Sequence, residues 1–131
     1  MLKTNIKITY DLDRETKFAI RDQWLKWVHI DEDSHQNMCL KRIVNGNTKL
    51  ADLKDMEEHF ISVIEQQIEL TTAALSEINE AKVRSSENLR IQKMLKNTLE
   101  DKLYTLTKDE HDFRYLVGKI EGEMQCSYLI N

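Results

Sequence analysis

Residues 99–124 read LEDKLYTLTKDEHDFRYLVGKIEGEM, and their apolar positions recur at alternating spacings of four and three. Leu99, Leu103 and Leu106 lead to Phe113, Val117, Ile120 and Met124, with polar Glu110 in the one missing slot. A seven-residue repeat with two apolar positions marks a helix that packs along a narrow stripe. Upstream the same seam continues through Ile64, Ile68, Leu75, Ile78 and Leu89, interrupted by Thr71, Lys82, Ser85, Gln92 and Lys96. From Leu50 to Glu110 there is neither proline nor glycine to break it. About 60 residues in one helix would reach about 90 Å at 1.5 Å per residue. A rod of that length cannot cover its own seam, so it needs an earlier helix folded back, a second copy or a foreign helix.

Outward from the seam, the rest of the chain reads as shorter elements. SSENLRIQK at 85–93 is the weak middle, because serine and asparagine compete for backbone hydrogen bonds. A fold-back there, near 84–88, turns the rod into a three-helix bundle. Asn45-Gly46-Asn47-Thr48 is the clearest break in the chain. Asn-Gly favours positive φ and closes either a helix or a hairpin. The helical reading is preferred because no strongly β-forming run follows, and it assigns Asn47 or Thr48 as the next cap. Between the breaks, Asp11 or Asp13 caps a helix carrying Phe18, Leu25 and Val28 on one face, with Trp24 and Trp27 flanking it. At the start, Ile6, Ile8 and Tyr10 alternate with Lys7 and Thr9, the period of a strand or extended arm.

The expected architecture is one all-α domain over 1–131, a long helical hairpin or coiled coil or a three-helix bundle. It comprises an extended arm at 1–10, helix or helices over about 11–44, a long helix over about 48–124 and a tail at 125–131. Composition agrees: 32% of residues are charged, 7% aromatic, and there are three glycines and no proline. That balance suits solvated helices with thin apolar stripes and argues against a sandwich, which needs frequent turns.

Function classes fall away in turn. A net charge of −4 does not draw the chain to phosphate backbones or anionic membranes. The basic bias of Lys82, Arg84, Arg90, Lys93, Lys96 and Lys102 is diluted by Glu80, Glu87, Glu100 and Asp101, the pattern of a salt-laced helix face. No stretch approaches 18 apolar residues. Cys39 and Cys126 form no CxxC pair, so a reducing compartment such as the cytoplasm is expected. Phosphate-cradling loops and nucleophile elbows need glycines in patterns that do not occur here, and no catalytic residue is assigned.

Metal binding is weighed on three features. Glu32 and His35 form one ExxH, where a di-iron bundle needs two plus further carboxylates. Asp31-Glu32-Asp33 begins like a calcium loop, but lacks glycine at its sixth position and places Arg42 where the bidentate acid belongs. His35 and Cys39 stand at i, i+4, but a structural zinc site takes four ligands. No metal or cofactor is therefore expected. His59 and His111 read as exposed helix residues.

Within the seam, Lys96-Asn97-Thr98-Leu99-Glu100-Asp101-Lys102-Leu103-Tyr104-Thr105-Leu106-Thr107-Lys108-Asp109 resembles a recurring segment of the tektins, filamentous coiled-coil proteins of ciliary and flagellar doublet microtubules. The shared pattern is Leu99, then Asp101-Lys102, then Leu106-Thr107 and Asp109 inside a long helix. It is confined to residues 96–109. The tektin signature nonapeptide around Arg-Pro-Asn has no counterpart in this proline-free chain. The resemblance implies cytoskeletal scaffolding.

The expected function is that of a non-catalytic scaffold or adaptor that binds protein partners, or a second copy, through the seam. The interface residues so assigned are Trp24, Trp27, Ile64, Ile68, Leu75, Ile78, Leu89, Leu99, Leu103, Leu106, Phe113, Val117 and Ile120. One of the two tryptophans is read as a core anchor and the other as an interface anchor. The alternative is a small regulatory or inhibitor protein of viral or mobile-element type, acting through a charged bundle surface.

Overall fold

The computed structural model describes residues 10–29 and 34–130, the last four of these for their backbone alone. The chain is all-α, with helices α1 (Arg14–Trp27), α2 (His35–Val44), α3 (Leu50–Glu80) and α4 (Ser86–Ile130). There is no strand among the described residues. The extended arm expected at 1–10 falls outside them except for Tyr10, and so does the acidic run at 31–33.

Local chemistry accounts for where the helices begin and end. The Asp13 carboxylate accepts from the Thr16 N–H at 2.8 Å and starts α1. Ser34 does the same for α2, its hydroxyl accepting from the Asn37 N–H at 3.2 Å. Gly46 adopts φ 90°, as the Asn-Gly signal suggests, and turns the chain out of α2. The next cap departs from expectation. Lys49 occupies the N-cap of α3 without a side-chain hydrogen bond, not Asn47 or Thr48. Thr48 is drawn away because its backbone pairs with Tyr10, N–H to carbonyl in both directions at 2.8 and 3.0 Å. That isolated bridge lays the start of the described chain across the α2–α3 turn.

The long seam does fold back. Helix α3 stops at Glu80, and residues 81–85 reverse the chain into α4, slightly earlier than the 84–88 suggested by sequence. Ser85 caps α4 by accepting from the Asn88 N–H at 3.1 Å. Gln92 closes the turn, its amide donating to the Ile78 carbonyl at 2.6 Å and the Ala81 carbonyl at 3.2 Å. These bonds satisfy carbonyls that the end of α3 leaves open. Helices α3 and α4 thus form an antiparallel hairpin of about 47 and 68 Å. Its pairing is traced by Lys54–Glu121, Phe60–Phe113 and Ile78–Gln92 contacts. Helix α4 continues to Ile130, through most of the segment read as a tail.

Helices α1 and α2 cover only the open end of this hairpin. There Trp24, Phe60 and Phe113 form the centre of the core. Phe60 and Phe113 stack at 4.0 Å, and Trp24 sits 6.2 and 6.3 Å from them. Around them Ile20, Ile43, Leu53, Met56, Ile64, Leu106, Val117, Ile120 and Met124 are buried. Beyond Ile64 the hairpin runs on as a bare two-helix arm. Between residues 65 and 105 only Thr71 is fully buried.

Candidate functional site

The distal arm is the feature that the rest of the fold leaves uncovered. A two-helix ribbon buries the facing stripes of its helices and exposes everything on either flank. Ile68, Leu75, Ile78, Leu99 and Leu103 lie half-buried between α3 and α4. Leu70, Leu89, Ile91, Met94 and Leu95 stay exposed. Three of these share one side of the hairpin. At about 100° per residue, Leu70 lies about 120° round α3 from its seam, and Ile91 and Leu95 lie about 100° and about 60° round α4 from theirs in the same sense. Because the helices are antiparallel, both offsets open on the same side. Their exposures, 58%, 44% and 50%, show how little the chain covers them. Near the tip, Ile78, Val83, Ile91 and Leu95 line an open groove with Lys82 and Arg84 at its rim.

Charge on the arm is divided by helix. Beyond Ile64, α3 carries four carboxylates (Glu65, Glu69, Glu77 and Glu80) and no lysine or arginine. From 82 to 102 the turn and α4 carry Lys82, Arg84, Arg90, Lys93, Lys96 and Lys102 against Glu87, Glu100 and Asp101. Among the described residues, no ion pair joins the distal α3 carboxylates to these cations. The ion pairs joining Lys54 of α3 to Glu57 and to Glu121 of α4 lie at the open end. The Glu121 carboxylate there raises the Lys54 ammonium above its usual range.

The residues assigned to an interface from sequence divide into three groups. Trp24, Ile64, Leu106, Phe113, Val117 and Ile120 are buried in the chain's own core. Trp27 is half-buried, its indole N–H donating to the Asp109 carboxylate at 2.7 Å. Ile68, Leu75, Ile78, Leu99 and Leu103 form the arm's internal seam, and Leu89 alone is exposed. The seam is thus largely satisfied within one chain. Leu70, Ile91 and Leu95 were not singled out from sequence, although Ile91 and Leu95 stand at i, i+4, the spacing of a second stripe beside the first.

The histidines also sort differently. His59 is half-buried, its ring 5.7 Å from that of Trp24, and is not the exposed residue expected. His111 is exposed beside Asp112. Glu32 lies outside the described residues, so the ExxH is not formed by described atoms. His35 instead meets Asp55 at 3.0 Å and Cys39 at 3.6 Å. Burial, reinforced by the charge of Asp52, pushes the Cys39 thiol up to about 11. Among the described residues, no helix is long and apolar enough to cross a membrane. Set against known protein families, curated proteins and solved structures, the chain matches none.

Proposed function

We propose that this chain is a non-catalytic helical scaffold that pairs with a second copy of itself through the distal arm. The observation that carries the reading is the arm's self-complementarity. An acidic helix and a basic helix flank one apolar side, and the distal charges lack intrachain ion pairs among the described residues. A two-fold axis places the α3 of one copy against the α4 of the other, twice over, so a single surface satisfies both signs of charge. The same docking covers Leu70, Ile91 and Leu95 and completes a four-helix cross-section along the arm. A foreign helix covers the apolar residues equally well, but needs its own division of charge to match both helices.

Charge exchange tests this reading. One variant carries Glu69→Lys, Glu77→Lys and Glu80→Lys; the other carries Arg90→Glu, Lys93→Glu and Lys96→Glu. Each alone sets like charges against each other across the two-fold and is expected to be monomeric by light scattering. Mixed in equal amounts, they restore opposite charges at both contacts and are expected to form a heterodimer. A mixture that stays monomeric while both variants keep their helicity refutes the pairing, as does a monomeric unaltered chain that binds a different protein.

A further inference from the structure

Away from the arm, the α2–α3 contact brings the ligand atoms of His35, Cys39 and Asp52 to one point, with Asp55 beside His35. On α2, His35 and Cys39 stand one turn apart on the same face; on α3, Asp52 and Asp55 stand at i, i+3. His35 Nε2 lies 3.6 Å from Cys39 Sγ and 3.0 Å from an Asp55 oxygen. The ligand atoms of His35, Cys39 and Asp52 all lie within 4.8 Å of one another. From sequence, His35 and Cys39 were two ligands short of a site; α3 adds Asp52 to the cluster and sets Asp55 against His35, within reach of a fourth position.

We propose that His35, Cys39, Asp52 and Asp55 bind one divalent transition-metal ion of the zinc class, which ties α2 to α3. The spacing fits tetrahedral coordination. Zn–S of about 2.3 Å and Zn–N of about 2.0–2.1 Å at the tetrahedral angle put sulfur and nitrogen about 3.5 Å apart, close to the observed 3.6 Å. Mixed nitrogen, sulfur and oxygen donors select zinc or cobalt over calcium or magnesium, which take oxygen shells. The surroundings fit as well. Cys39 is fully buried and Asp52 nearly so, while His35 and Asp55 are half-exposed, so the site is anchored on its inner side and open to entry from solvent. Arg42 donates to both Asp52 oxygens at 3.3 and 3.4 Å. It can orient that carboxylate and offset the negative charge left by three anionic ligands around a divalent ion. Metal entry releases the thiol proton to solvent and forms the metal–sulfur bond, with no change of oxidation state.

Cobalt reports on this directly. Chelator-treated, untagged protein titrated with Co²⁺ is expected to bind one ion per chain. A sulfur-to-cobalt charge-transfer band and the intense visible bands of tetrahedral cobalt should appear together. Cys39→Ser and His35→Ala should abolish the charge-transfer and tetrahedral signatures respectively, Asp52→Asn should weaken binding at least about tenfold, and Cys126→Ser should change nothing. Zinc should displace the cobalt and raise the melting temperature of the unaltered chain but not of His35→Ala. His35 is half-exposed, so its loss leaves the fold intact and keeps the test decisive if Cys39→Ser fails to fold. Absence of the bands, their survival in His35→Ala, or their loss in Cys126→Ser would overturn the assignment.

Discussion

Asp109 shows how a single buried carboxylate joins α1 to α4. Its side chain is almost fully buried and accepts from the Trp27 indole at 2.7 Å and the Lys26 ammonium at 2.8 Å. Asp109→Ala leaves the indole N–H without its acceptor, and a loss of about 1–3 kcal/mol is expected by chemical denaturation. Gly46 carries a different constraint, since its φ of 90° is one that side-chain-bearing residues resist. A Cβ there also meets the Asp11 carboxylate at 3.1 Å. Gly46→Ala is therefore expected to cost about 1–2 kcal/mol by the same measurement. At the start of α1, the Thr16 side chain and its backbone N–H hold the Asp13 carboxyl below its usual range. A lowered folded-state value stabilises above the unfolded value, about pH 4, and that contribution disappears as pH falls through the lowered one. Asp13→Asn still caps but does not titrate, so helicity followed by circular dichroism should fall less steeply on acidification. The sequence narrows the α1 cap to Asp11 or Asp13 and marks Gly46, because caps and positive-φ turns depend on neighbours a few residues away. It did not reach Asp109, whose partners lie 82 residues or more away in the chain.

Among the elements, α3 and α4 each change character along their length. At the open end, four helices enclose Phe60 and Phe113; past Ile64, two helices share a seam with a single buried threonine. Apolar burial of roughly 1.5–3 kcal/mol per large side chain is concentrated in the first region. In a chain kept monomeric by Ile91→Asp and Leu95→Asp, amides of 68–78 and 89–103 should therefore exchange faster than those of 53–64 and 106–120. Equal protection by hydrogen exchange would show that the arm is held by more than its internal seam. The helical class was legible in the four-three spacing of 99–124, and so was the turn at Gly46. The identity of the seam's partner was not. Periodicity reports that a stripe is buried, but not whether a neighbouring segment or another molecule covers it. Here the neighbour is largely α3 itself. The flank bearing Leu70, Ile91 and Leu95 was missed because its residues belong to two helices whose offsets coincide only once the hairpin has formed.

At the scale of the whole molecule, a capped four-helix end carries a two-helix arm, and the proposed self-pairing joins two such arms side by side. An isologous contact counts every side chain twice, so one substitution on the arm removes two sets of contacts from the dimer. Replacing Ile91 and Leu95 is thus expected to abolish pairing while leaving the folded chain intact, since both are about half exposed within one chain, 44% and 50%. The most direct measurement is the mass of the unaltered protein and of the Ile91→Asp, Leu95→Asp double variant, by sedimentation equilibrium across concentration. The unaltered protein should sediment with the mass of two chains and the double variant with the mass of one, at equal helicity. An unaltered chain that remains monomeric up to about 1 mM, where about 4 kcal/mol of association free energy already registers, would rule out self-pairing through the arm. So would a dimer that survives the double substitution.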